Sequence, residues 1–261
     1  MLENEFVLIK RRLGNLLSID LDCYKSPQMQ RRLDGYLGRV RASSWTELLH
    51  RLENDPQAIR QLRDFITINV SSFFRDRKKW EELRDFILPQ ITCPGRALRA
   101  WSAACSHGAE AFSLAMLFQE TPTVFRYQIT GTDVDRSILL KARAGGPYNA
   151  DDIRETPADL IKRYFRQDAA GYWIQPKLLA HVNFVEQDLL RATAVAEFDL
   201  VVCRNVLIYF TQTAKDQVIS NLARALVPGG FLFIGATESI SPLRSFGLER
   251  AGFSFYRRIG A

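Results

Sequence analysis

The sequence is poor in the residues that build metal and disulfide chemistry. Among 261 residues there are four cysteines and three histidines. Cys23, Cys93, Cys105 and Cys203 are scattered, with no C-x-x-C pair and no nearby histidine to complete a zinc site. Reduced and mostly buried thiols are therefore expected, and His50, His107 and His181 do not suggest a histidine-based metal centre. No apolar run reaches the ~18 residues needed to cross a bilayer. The opening MLENEFVLIKRRLG puts acids before a short apolar run and bases after it, the wrong order for a secretory leader, so a cytoplasmic protein is expected. Also missing are internal repeats, low-complexity tracts and the G-x-G-x-x-G turn that cradles a pyrophosphate.

What remains is an ordinary globular composition, 47% hydrophobic and 25% charged, long enough for one large domain or two small ones. The net charge of +6 is moderate but uneven. Residues 25–41 carry five bases (Lys25, Arg31, Arg32, Arg39, Arg41) against one acid, Asp34. Such a segment could meet nucleic acid, an acidic lipid surface or an acidic protein, or be a solvated helix face.

Two regimes of periodicity follow one another. Residues 1–88 repeat apolar positions at helical spacing, as in Leu33, Leu37, Val40 and in Leu48, Leu49, Leu52. Ser44, with Glu47 three residues on, reads as an N-cap with a capping-box acid. Pro89 and the Cys93-Pro94-Gly95 turn close this part, which reads as a small all-helical domain. Across 89–261, short apolar runs (97–103, 127–132, 182–185, 198–203, 231–235, 253–257) alternate with helical patterns at 110–119, 137–144 and 213–226. That alternation predicts an α/β domain with a parallel sheet, closed by an antiparallel pair where no crossover helix separates the last two strands. Pro228-Gly229-Gly230 reads as a turn leading into the fifth strand. Residues 147–181, with Pro147, Pro157 and Pro176, break the rhythm and read as an inserted β-subdomain or lid.

Ligands of such sheets bind beyond the carboxyl ends of the strands. The first strand empties into the small, polar loop Ala104-Cys105-Ser106-His107-Gly108, which has a single glycine and suits a cofactor without phosphates. The second ends in Asp133-Val134-Asp135. An acid there can bind both hydroxyls of a ribose; Asp133 is the candidate, with Asp135 assigned to cap the next helix. A ribose site without a phosphate site describes an adenosine with another tail, and S-adenosylmethionine is the common case. The fourth strand runs into Arg204 and Asn205, polar residues placed to face the reactive end of the cofactor. The Asn/Asp-Pro-Pro-aromatic motif of DNA adenine methylases is absent there, which argues against a nucleic-acid substrate.

These pieces, with Asn69-Val70-Ser71-Ser72-Phe73-Phe74-Arg75-Asp76, resemble the CheR family of chemoreceptor glutamate methyltransferases. The likeness covers nearly the whole chain. In order it takes in Tyr24-Lys25 with Arg31-Arg32, FFRD, WSAACSHGAEAFSLAM, GTDVD, CRNVLIYF and PGGFLFIGATES. It implies a helical domain covering the cofactor cleft of a Rossmann-like methyltransferase domain, with a small inserted β-subdomain. It implies S-adenosylmethionine as cofactor and S-adenosylhomocysteine as product. By the same resemblance Asn69, Ser71, Arg75, Glu110, Asp133, Asp188, Leu189, Arg204, Asn205 and Val206 contact the cofactor. Arg75 and Tyr209 serve the transfer itself, and Arg31, Arg32, Arg39 and Arg41 dock the receptor's methylated helices. A monomer is expected, with no nucleic-acid partner and no membrane insertion. Two departures stand out. Ser71 replaces the usual Thr, and S-T-G-E-E-P-Y-S becomes Ser106-His107-Gly108-Ala109-Glu110-Ala111-Phe112-Ser113, with one acid and a tyrosyl hydroxyl missing. This altered loop favours an alternative reading, an S-adenosylmethionine-binding regulatory module with weak or no catalysis.

Overall fold

The computed structural model describes residues 3–67, 69–93, 95–124, 126–191 and 198–260. Ile68, at the head of the segment carrying FFRD, Pro94 and the first two residues of the opening stretch lie outside the described residues. Contacts divide the chain into two compact units, Met1–Asn69 with Ile208–Asp216, and Val70–Leu207 with Gln217–Ala261. No helix among the described residues is long and apolar enough to cross a membrane.

The smaller unit is helical: α1 (Glu3–Leu17), α2 (Ser26–Arg39), α3 (Trp45–Asn54) and α4 (Pro56–Ile66). Leu13, Leu17, Leu33, Leu48, Leu49, Leu52, Leu62 and Ile66 are buried, the apolar stripe that the spacing predicts. The cap on α3 forms as expected: Ser44 Oγ accepts from Glu47 N at 3.2 Å. The Glu47 carboxylate takes Ser43 N and Oγ at 2.7 and 2.6 Å, bonds that hold its pKa down at about 2. Residues 208–216 join this unit through Lys25 N to Tyr209 O and Thr211 N to Cys23 O, both 2.9 Å. Tyr24 and Phe210 meet there at 5.1 Å between ring centroids.

The larger unit holds α5 (Arg77–Glu82), a π-turn (Leu83–Ile87), α6 (Leu88–Ile91), β1 (Leu98–Ala103), α7 (Ala109–Gln119), β2 (Tyr127–Asp133) and α8 (Arg136–Ala144). There follow α9 (Ala158–Tyr164), β3 (Phe165–Asp168), β4 (Gly171–Ile174), α10 (Pro176–Leu179), β5 (Val182–Glu186) and β6 (Phe198–Cys203). The chain ends with α11 (Gln212–Ala225), which begins in the smaller unit, then β7 (Leu226–Ile234), β8 (Leu248–Arg250) and β9 (Phe255–Arg258). The seven-stranded sheet has the order β5-β2-β1-β6-β7-β9-β8. β5 through β7 are parallel, and β9 pairs antiparallel with β7. The antiparallel edge was legible; its outermost strand, the three-residue β8, was too short to carry a period. Pro228-Gly229-Gly230 lies within β7 rather than before it, where the β6–β7 register breaks between Phe198 and Leu200. The inserted segment folds into α9 and the β3–β4 hairpin.

Where the periodicity suggests a boundary at 88, the contacts divide the chain at Asn69–Val70. Phe73, Phe74, Trp80, Leu83, Ile87 and Leu88 belong to one core with Leu98, Phe112 and Phe233. Trp80 lies 6.0 Å from Phe233, and Phe73 lies 4.8 Å from Tyr148, centroid to centroid. A helical period says that a segment has an apolar face; it does not say which core receives it.

Candidate active site

The switch point of the sheet lies at β1, from which the order runs to β2 and β5 on one side and β6 and β7 on the other. Registers Ser102↔Gly131, Ser102↔Val202 and Val202↔Phe233 bring the carboxyl ends of β1, β2, β6 and β7 to one edge. The loop after β1 passes through Ala104 (φ 61), Ser106 (φ 51) and Gly108 (φ 89), all left-handed. Five of the seven non-glycine residues with positive φ (Phe74, Asp76, Ala104, Ser106, Asn205) sit on segments that build this edge. Backbone strain of this kind concentrates where a structure holds a functional geometry.

Asp133, the last residue of β2, fixes that loop: Oδ2 accepts from Ser106 N at 2.8 Å and Oδ1 from Asp135 N at 3.0 Å. Burial raises its pKa to about 6. Asp135 does cap α8, accepting from Ser137 N and Ile138 N at 2.9 and 3.2 Å. Glu110 sits in the first turn of α7, a helix buried on nearly every side, and accepts from Ser102 Oγ at 2.8 Å. Desolvation raises its pKa, while Arg204, 3.9 Å away, pulls it down.

Arg204, directly after β6, is 8% exposed and lies over the Phe233 ring at 4.8 Å. Its Nη2 donates to Asp76 Oδ2 at 2.6 Å and to Arg75 O at 2.9 Å. Trp80 Nε1 donates to the same carbonyl at 2.9 Å. Ser71 to Asp76 is thus strapped down along its length, by Phe73 N to Asp152 O (2.8 Å), Phe74 N to Ser113 Oγ (3.0 Å) and Asp76 N to Glu155 Oε2 (3.1 Å). Asp76 pairs with Arg204, so the half-buried Arg75 is left without an ion pair among the described residues. Its charge is nonetheless felt by Glu110 and Arg204.

Asp188 and Leu189 follow β5, where Gln187 N donates to Asp133 O at 2.9 Å. Asp188 Oδ1 accepts from Leu190 N at 2.9 Å, and Leu189 is buried, its carbonyl taking Asn221 Nδ2 at 2.9 Å. Asn205 (φ 60) and Val206 are half-buried beside Arg204. The larger unit therefore brings together Ser71, Arg75, Glu110, Asp133, Asp188, Leu189, Arg204, Asn205 and Val206 on the strand-end edge. Asn69 and Tyr209 belong to the smaller unit.

Two residues were missed in the sequence. Glu238 Oε2 accepts from Gly235 N and Asn205 N at 2.7 and 2.9 Å, anchoring the strained turn at Asn205. A Cβ on Gly235 would stand 2.7 Å from that oxygen, so only glycine fits. Glu238 stands within the GATES run that carries the resemblance, and that was its one signal. His107, 4% exposed, donates from Nε2 to Ser71 O at 3.1 Å and ties the β1 loop to the Ser71–Asp76 segment. Burial lowers its pKa and favours the neutral ring, although Asp152 lies 3.5 Å away.

On the smaller unit, Arg31 and Arg41 are exposed. Arg32 is instead half-buried, donating from Nη2 to Phe65 O at 2.5 Å and to Thr67 O at 3.3 Å. It and Arg39 flank the Phe65 ring, each 5.6 Å from the centroid, beside a cavity of about 460 Å³ that Tyr36 and Gln61 also line.

Three acids on this edge, Glu110, Asp133 and Glu238, are buried, and the charges of Glu110 and Glu238 act on the buried guanidinium of Arg204. Their surplus of negative charge suits a cationic ligand and opposes a phosphate. Ser106 Oγ, Glu238 Oε1 and Arg204 Nε are buried without a hydrogen-bond partner among the described residues, so polar capacity is left for a ligand. A sulfonium with an α-ammonium and a ribose fits this donor set.

Two family models match the chain: the all-alpha domain of CheR methyltransferases over residues 4–67, and their S-adenosylmethionine-binding domain over residues 69–249. Their junction coincides with the division at Asn69. The chain is 36% identical over 256 residues to a chemotaxis protein methyltransferase of Listeria monocytogenes, covering 98% of this chain and 97% of the relative. It is 32% identical over 250 residues to chemotaxis protein methyltransferase 1 of Pseudomonas aeruginosa, covering 92% and 91%. It is also 32% identical over 255 residues to a chemotaxis protein methyltransferase of Vibrio parahaemolyticus, again covering 92% and 91%.

Proposed function

The chain belongs to the CheR methyltransferase family, and on that premise we propose that it is a protein-glutamate O-methyltransferase acting on the cytoplasmic helices of methyl-accepting chemotaxis receptors. The observation that carries this reading is the set of buried acids, Glu110, Asp133 and Glu238, at the carboxyl edge of the sheet that also holds Arg204. When bound, S-adenosylmethionine supplies an electrophilic methyl group on a sulfonium. Asp133 would accept from the ribose hydroxyls, Glu110 would face the ammonium, and Asp188 and Leu189 would flank the adenine. Asn69, Ser71, Asn205 and Val206 would complete that contact.

A glutamate side chain is ionised at neutral pH and is already an oxygen nucleophile, so the protein needs no general base. Arg75, which makes no ion pair among the described residues, orients the incoming carboxylate through a bidentate contact. Tyr209 is assigned, by the family resemblance, a hydrogen bond to the reacting groups. Holding two reactants in line can be worth as much as ~7–11 kcal/mol, and excluding water favours a reaction in which opposite charges vanish. Arg31, Arg39 and Arg41 meet the acidic faces of the receptor helices, whereas the carbonyl bonds of Arg32 give it a supporting part in that surface.

The test is incubation with methyl-labelled cofactor and receptor cytoplasmic fragments, followed by alkaline hydrolysis and mapping. Base-labile label on glutamate side chains is expected. Base-stable label, or label on lysine or arginine, would refute the assignment.

A further inference from the structure

A second charged site lies at the opposite edge of the sheet. Where α11 ends at Ala225 and β7 begins at Leu226, the antiparallel β9 brings Arg258 alongside. Arg224, Arg244 and Arg258 line one cavity of about 660 Å³, with Phe246, Pro228 and Ile259 as apolar wall. No carboxylate is among its described lining residues.

Two of these guanidinium groups are fixed by neutral partners. Arg258 Nη1 donates to Arg224 O at 3.2 Å and to Leu226 O, and Arg224 Nη2 donates to Asn221 Oδ1 at 2.6 Å. Such bonds set position without offsetting charge, so three positive charges line one cavity with no acid among its described lining residues. Ordinary solvated arginines pay side-chain entropy to meet a ligand; two of these are already held.

We propose that this cavity binds a small organic phosphate of nucleotide size. Planar guanidinium forks match phosphate oxygens two at a time, and several converging forks suit a tetrahedral oxyanion better than a flat carboxylate. The volume falls within the ~300–1,000 Å³ of small-molecule sites, far more than inorganic phosphate fills. The apolar wall takes the remainder, and arginine and Phe246 both offer faces on which a planar ring stacks. The site is separate from the strand-end edge, and Arg258 and Ile259 lie beyond residue 249, where the family match ends.

Calorimetry on the full chain tests this, with S-adenosylhomocysteine at saturation so that the cofactor site is filled. Nucleoside diphosphates (ADP, GDP, UDP) and inorganic pyrophosphate are the probes. At least one nucleotide should bind saturably, more tightly than pyrophosphate and more weakly at high salt. Arg224→Glu with Arg244→Glu, both exposed positions, should weaken it at least about tenfold by removing bidentate contacts. The affinity for S-adenosylhomocysteine should stay the same. No saturable binding of any nucleotide, equal binding by the double variant, or pyrophosphate binding as tightly as every nucleotide would each overturn the proposal.

Discussion

The strand-end edge of the larger unit and helix α2 of the smaller one are both charged, but in opposite ways. Glu110, Asp133, Glu238 and Arg204 are each 8% exposed or less and tied to backbone or to one another. Arg31 and Arg41 stand in solvent. Buried charges interact strongly and respond to protonation; exposed ones are screened and act mainly on encounter. On the proposed reading the first region would hold a cation and a nucleophile in place, and the second would bring a partner near.

Changes in the buried region should therefore be the larger. Arg204→Met leaves Glu110 buried without its counter-charge, and a loss of about 3–5 kcal/mol of stability at neutral pH is expected in urea unfolding. That loss should shrink as pH falls, because protonated Glu110 needs no partner; a variant as stable as the parent would break the contrast. Arg75→Ala should lower methyl transfer by about 10²–10³-fold, the loss typical of one aimed electrostatic donor. Cofactor binding should survive in part, and full turnover would remove Arg75 from the mechanism.

Asp133 sharpens the contrast through pH. Burial raises its pKa to about 6. A ligand that donates hydroxyls to the carboxylate favours the ionised form. Affinity for S-adenosylhomocysteine should therefore fall as pH drops below 6, by at most about tenfold per unit for one proton. Asp133→Asn should remove that step, and a step of equal size in the variant would assign it elsewhere.

The smallest effects belong to α2 and the residues just after it. Arg31→Glu with Arg41→Glu should raise KM for a receptor fragment, more at low than at high salt, and leave the melting temperature unchanged. Arg32→Ala should instead lower stability by about 1–2 kcal/mol, as two backbone carbonyls lose their donor. If all three behaved alike, the distinction between docking charge and structural clamp within residues 31–41 would fail.

Much of this was legible beforehand because period and punctuation are local. Residues 198–203 read as a strand and fold as one, and Ser44 and Asp135 cap the helices expected of them. The unit boundary was not legible, since the apolar face of residues 77–91 fits either core until the partners Phe112 and Phe233 are seen. Segment 208–216 joins the helical unit through backbone bonds to Cys23 and Lys25, a pairing across some 180 residues that no local pattern encodes. The pattern puts Asp133, Arg204 and Asn205 at strand ends, and the structure has them there, at the end of β2 and just after β6. In the sequence His107 reads only as one of three scattered histidines, because its bond to a backbone carbonyl at Ser71 leaves no mark in side-chain chemistry.

The central claim is that S-adenosylmethionine occupies the acid-lined edge at Asp133. Titrating S-adenosylhomocysteine into the parent chain and into Asp133→Ala, with unfolding curves to confirm that both are folded, tests it directly. One-to-one binding by the parent and its loss in a folded variant is the expected result; no binding by the parent, or equal binding by both, would contradict it.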